Sequence, residues 1–223
     1  MTRLATMAAL ALSVSGAIFG ATTLSRELIV LDRQTGSVLD EFSRIETGAA
    51  GFGLSAYSKR QLLDSCFAIM KLPIYKLYPE ERRHAFATQC RDNANTIAVT
   101  MPTNSVAWII SAMASAELGD IASMNTALVR SQRSAPNEQN IAEIRVDLAE
   151  NHYAELSAET RDANQRDLAL LASSYNGART IAGRYIKDQA FRERITTVVS
   201  SMPADVQKRF LGNVRRAAKQ VTQ

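Results

Sequence analysis

Residue types that carry chemistry are scarce in this 223-residue chain. It has two histidines, His84 and His152, which stand in no ligand spacing with each other or with a cysteine, and this argues against a zinc-type centre. With two cysteines there is no thiolate cluster, and the basic segments carry few aromatics and no recognisable module, so nucleic acid is not an expected partner. Ten glycines and five prolines exclude a collagen-like or low-complexity chain. The nearest approach to a phosphate loop, Gly48-x-x-Gly51-x-Gly53, is one step short of the dinucleotide pattern and follows no strand, so it reads as linker. The carboxylate pairs Asp40-Glu41, Glu80-Glu81 and Asp147-Glu150 read as helix-end or surface charge. No catalytic, cofactor-binding or metal-binding residue is therefore assigned, and the chain is not expected to be an enzyme. A hydrolase using carboxylates from distant segments is the least favoured reading.

Charge is absent from residues 4 to 25, and that absence is informative. Twenty-two uncharged residues suffice to cross about 30 Å of hydrocarbon as a helix. Small-x-small cleavage sites, such as Ser15-Gly16-Ala17, lie inside the run rather than after it, which favours an uncleaved signal anchor over a signal peptide. Arg3 on the short side predicts an N-in, C-out orientation, with the rest of the chain extracytoplasmic, periplasmic if the cell is Gram-negative. Secretion to the periplasm after cleavage is the alternative. Residues 26 to 57, with Gln34-Thr35-Gly36 and the glycine cluster, then read as a juxtamembrane linker, and 58 to 223 as one helical domain.

Alternating runs of strand length are missing too, so the fold class is all-α. Ser58 and Gln61 form a capping-box pattern with Tyr57 and Leu62 as staple, and the helix they open ends at Pro73. Pro79-Glu80-Glu81 opens the next, which runs to Met101-Pro102 with Phe86, Cys90 and Ile97 on one stripe. Ile141, Ile144 and Leu148 predict a helix to about Tyr153, and Ser157 caps another. Asn176-Gly177 is a candidate interruption. Phe191, Ile195, Val198 and Met202 make one stripe, and Val206, Phe210, Val214, Ala217 and Val221 the last.

The central stretch, 105 to 138, is the most patterned. Two apolar-periodic runs flank Gly119-Asp120, and the second stops at Pro136-Asn137. Trp108, Ala112, Gly119, Asp120, Pro136 and Asn137 fall at the spacing of one tetratricopeptide repeat, which the unit resembles, while Ser115, Met124 and Ser131 depart from it. The resemblance implies antiparallel helical hairpins in a right-handed array, a scaffold for protein–protein interaction, with Trp108 filling the hairpin interior against Ala112.

Cys66 and Cys90 lie on the apolar faces of consecutive helix candidates. In an oxidising compartment they form a disulfide if their Cα atoms come within about 7 Å; otherwise they are two buried thiols. Charge is unevenly placed: eight acidic and three basic residues from Glu138 to Asp167, net −5, against ten basic and three acidic from Arg179 to Lys219, net +7. Lys208, Arg209, Arg215, Arg216 and Lys219 form a candidate docking surface for anionic lipid or acidic polysaccharide. The functional expectation is a membrane-anchored extracytoplasmic adaptor for a protein partner in the cell envelope. The alternative is an accessory factor of envelope polysaccharide assembly or export.

Overall fold

The computed structural model describes residues 2–33 and 36–221. Gln34 and Thr35, and the side chains of residues 2–4, of residues 29–33 and of Val221, lie outside the described residues. The chain is all-helical, with no strand among the described residues. Its compact units are Met1–Cys90 and Arg91–Gln223.

In the first unit, α1 (Thr2–Arg33) contains one segment, Ala5–Leu28, long and apolar enough to cross a membrane, and none of it is buried. The helix continues beyond the uncharged run, so part of the 26 to 57 stretch is helical rather than linker. A second part is α2 (Val38–Glu46), opened by a capping box: Ser37 Oγ accepts from the Asp40 amide at 3.2 Å, and Asp40 Oδ2 accepts from the Ser37 amide at 3.1 Å. Its Phe42 and Ile45 are buried. The start of α3 (Ala56–Lys71) differs from the sequence reading: Ser55 is the cap, accepting from the Ser58 amide at 3.0 Å. Ser58 is instead buried in the first turn, and Tyr57 is half-exposed rather than stapled.

After a 3₁₀ turn at Pro73–Leu77, α4 (Glu80–Thr100) begins. Phe42 stacks on Tyr78 and Phe86, with centroids at 4.2 and 5.0 Å. The Arg82 guanidinium lies over the rings of Phe42 and Tyr78 while pairing with Glu46 through two hydrogen bonds. Cys66 on α3 and Cys90 on α4 form a disulfide with Cα atoms 5.9 Å apart.

The second unit holds α5 (Ser105–Glu117), α6 (Ile121–Ser134), α7 (Gln139–Asn151), a 3₁₀ turn at Tyr153–Glu155, α8 (Ala158–Ser173), α9 (Tyr175–Lys187), α10 (Gln189–Ser200) and α11 (Ala204–Val221). Gly119 ends α5 at φ +71°, a left-handed conformation that favours glycine. Its N–H donates to Ala116 O at 3.1 Å and that of Asp120 to Ser115 O at 2.9 Å, the paired bonds of a Schellman stop. Asp120 then caps α6 by accepting from the Ser123 amide at 3.0 Å. One dipeptide thus closes one helix and opens the next.

The Asn176-Gly177 pair does not interrupt a helix; it forms the first turn of α9, where Ser174 Oγ accepts from the Gly177 amide at 3.0 Å. Two apolar clusters fill this unit. One gathers Ile109, Ala112, Met124, Leu128 and Ile141; the other joins Leu168, Leu171, Ile181, Phe191, Ile195 and Phe210.

Hydrogen bonds to Ser123, side chain first and then backbone, hold the Asp120 carboxyl below its ordinary value of 3.8. A depressed carboxyl contributes stability above its unfolded value and loses it as pH falls through the folded one. The parent is therefore expected to be more stable than Asp120→Ala at neutral pH, and the gap, followed by circular dichroism through an acid titration, should close as pH falls below 3.8. A gap independent of pH would show that the carboxylate form is not what caps α6.

Candidate partner-binding groove

A groove of about 350 Å³ runs over the second half of α4 and over α5 and α6. Trp108 and Ser111 project from α5, Asn95 and Val99 from α4, Thr126 and Arg130 from α6. The hairpin sets this order, because Trp108 and Ser111 are one turn apart, as are Thr126 and Arg130. Ser111 is buried and donates to Asn95 Oδ1 at 2.7 Å, which fixes the floor.

Trp108 packs against the hairpin cluster that holds Ala112 and Met124, but at its edge: it is partly exposed, and its indole N–H donates to Pro102 O at 2.9 Å. An indole needs a partner for that N–H when it packs, and the carbonyl at the α4–α5 turn supplies one only at the edge of the hairpin. The guanidinium of Arg130 lies 4.7 Å from the ring centroid. The rim therefore combines an aromatic face, a cation and, in Val99, an aliphatic side chain 79% exposed. Ala112 is fully buried beneath, Gly119 shapes the turn, and Pro136 follows α6 on the surface.

A second cleft, of about 310 Å³, lies among the Tyr153 turn, α8 and α10. Arg194 and Arg161 approach the Tyr153 ring at 3.9 and 5.3 Å. Below it Glu150, read from sequence as a surface charge, is buried, where it accepts from Asn164 Nδ2 at 2.6 Å and from Arg194 Nε at 2.9 Å.

Sequence reasoning also missed Arg145. It is buried and bidentate with Asp167, Nε to Oδ2 at 2.6 Å and Nη2 to Oδ1 at 2.7 Å, and its Nη2 also reaches Ala135 O at 3.3 Å. The signal was present: Ile141, Ala142, Val146 and Ala149 place Arg145 in the middle of an apolar helix face, where a charge demands a buried partner.

No protein-family model, curated protein or solved structure matches the chain. His84 lies 3.7 Å from Glu80, and His152 Nδ1 lies 2.7 Å from Glu155. No group of three potential metal ligands occurs among the described residues.

The five candidate docking cations do not act alike. Arg209 turns inward and donates to Ser173 O at the end of α8, and Arg216 donates to Asn213 Oδ1 at 2.7 Å. Lys208, Arg215 and Lys219 are exposed and fall within about 40° of one another around α11, opposite the buried Val206 and Phe210. The acidic and basic halves meet at Glu150–Arg194 and Asp147–Arg184.

Proposed function

We propose that the protein is a membrane-anchored helical adaptor whose hairpins, tetratricopeptide-like in arrangement, present the Trp108–Arg130 groove to a protein partner in the cell envelope, on the extracytoplasmic side. The groove carries this reading. Its aromatic face, outward-facing cation, amide and aliphatic rim suit an extended peptide segment, with apolar contact at Trp108 and Val99 and polar pairing at Asn95 and Arg130. The Cys66–Cys90 disulfide supports an oxidising compartment, and the exposed apolar span supports an anchor.

A photo-crosslinking residue at position 99, in protein kept in its native membrane, is expected to give one discrete adduct. Trp108→Ala should abolish that adduct while costing only about 1–2 kcal/mol of stability, below the range for a fully buried Trp because the ring is partly exposed. No adduct, or one that survives the substitution, would reject the groove as the contact.

The exposed row of Lys208, Arg215 and Lys219 favours a second reading, an accessory factor of envelope polysaccharide assembly that meets acidic polymer or lipid through α11. Changing Lys208 and Arg215 to Gln should leave melting unchanged and weaken salt-sensitive retention on acidic polysaccharide. Unchanged retention would leave the adaptor reading alone.

A further inference from the structure

The end of the apolar span is tied to the start of α3 by Glu27. Its Oε1 accepts from the Ser55 amide at 2.8 Å, and its Oε2 accepts from Ser55 Oγ at 2.7 Å. The segment that makes this contact is closed on itself, since the Gly53 amide donates to the buried Ser58 Oγ at 2.9 Å. Gly53 is what allows the approach: a Cβ there would collide with the Glu27 carboxylate, which would have to move away.

The position of Glu27 along the span sets the height of this joint. Residues Ala5–Leu28 make a helix about 36 Å long, against about 30 Å of hydrocarbon. The excess is about one turn, which puts Arg26 and Glu27 in the headgroup layer, where a carboxylate and a guanidinium are hydrated. Ser55 is hydrogen-bonded to that turn. Its neighbours Leu54 and Tyr57 are 57% and 50% exposed, side chains that gain by leaving water, and tyrosine favours the membrane–water boundary.

We infer that Leu54 and Tyr57 sit in the interfacial layer of the bilayer, and that the Glu27–Ser55 joint holds the first unit down on the membrane surface. The occupant of this apolar pair is lipid. The inference rests on the reading of α1 as an uncleaved anchor.

The native cysteines are joined to each other, so a single introduced cysteine carries the only free thiol. The full chain is reconstituted in phosphatidylcholine vesicles with a fluorophore at Leu54→Cys or, separately, at Gly16→Cys, and quenched by lipids spin-labelled near the headgroup or deep in the chain. Leu54 should lose most of its emission to the shallow quencher and little to the deep one, while Gly16 responds to the deep one. Tyr57→Cys repeats the reading at a second position, so a poorly folded Leu54 variant does not decide it. Gly53→Val, which dislodges Glu27, should diminish the shallow quenching and leave Gly16 unchanged.

A quenched Gly16 with unquenched Leu54 and Tyr57 overturns the inference and leaves the anchor standing. The same holds if those two sites are shielded from aqueous iodide yet untouched by lipid quenchers, which would mean that protein covers them. If Gly16 is not quenched by lipid at all, the anchor reading falls and this inference falls with it.

Discussion

Arg145→Met is expected to be among the most destabilising single substitutions in the second unit, costing about 3–5 kcal/mol in denaturant unfolding. The guanidinium is almost wholly buried and is bidentate with Asp167, so its loss leaves a carboxylate in the interior without its charge partner. The cost arises from the uncompensated group more than from the pair itself. Arg145→Met with Asp167→Leu should therefore recover most of the loss, because two apolar side chains of similar volume remove both the attraction and the burial of charge. Failure of the double variant to recover would move the cause to the bond from Arg145 to Ala135 O or to the fit of the arginine's methylenes.

The same pair carries a pH signature. Burial pushes the Asp167 carboxyl above its ordinary 3.8, opposed by the hydrogen bonds and charge of Arg145. A carboxyl raised in the folded state contributes most below its unfolded value and loses that contribution as pH rises through the folded one. Removing Arg145 removes the opposing pull and raises the carboxyl further. The deficit of Arg145→Met relative to the parent should thus be smaller near pH 5 than near pH 8. A deficit that grows on acidification would show that Asp167 stays ionised in the variant.

What was legible in the sequence was mainly punctuation. Gly119-Asp120, Pro79 and Ser157 each encode a stop or start through one local geometry, and the structure uses them there. Ser55 and Ser58 show the limit: both are serines ahead of an apolar run, and the choice falls to Ser55 because Ser58 is needed by Gly53 in the joint with Glu27. That contact spans 28 residues, beyond the reach of a local pattern. The stretch before it reads as linker from its glycines, although Ser37-x-x-Asp40 spells a capping box. Glu150 reads as surface charge in the sequence, and Arg145 and Asp167 enter only a net charge over a window, which does not register which face a residue occupies. The groove is half legible: the repeat spacing marks Trp108, but its depth depends on Pro102 O, and no local pattern brings Arg130 to its ring.

Loss of the Cys66–Cys90 disulfide should weaken the first unit about as strongly as the loss of Arg145 weakens the second. The bond closes a loop with a sequence separation of 24. By chain-entropy reckoning such a crosslink contributes about 3.5 kcal/mol, and removal of native disulfides from small exported domains costs about 2–5 kcal/mol. Both sulfur-bearing residues are within 1% of complete burial, so Cys66→Ala/Cys90→Ala adds the loss of packed sulfur between α3 and α4 beside Leu62 and Phe86. This unit is small, and its aromatic cluster of Phe42, Tyr75, Tyr78 and Phe86 is tied across the sequence by Arg82–Glu46. Burial also predicts kinetics. A reductant in water cannot reach the bond without opening α3 from α4, so reduction in native buffer should be slow and should accelerate steeply with denaturant. Hydrogen exchange is the measurement that locates the effect: amides of α3 and of the Pro73–Leu77 turn should lose protection in the double alanine variant. Two free thiols in protein taken from its native membrane, or unchanged α3 protection in the variant, would show that the crosslink does not hold these helices together in the cell.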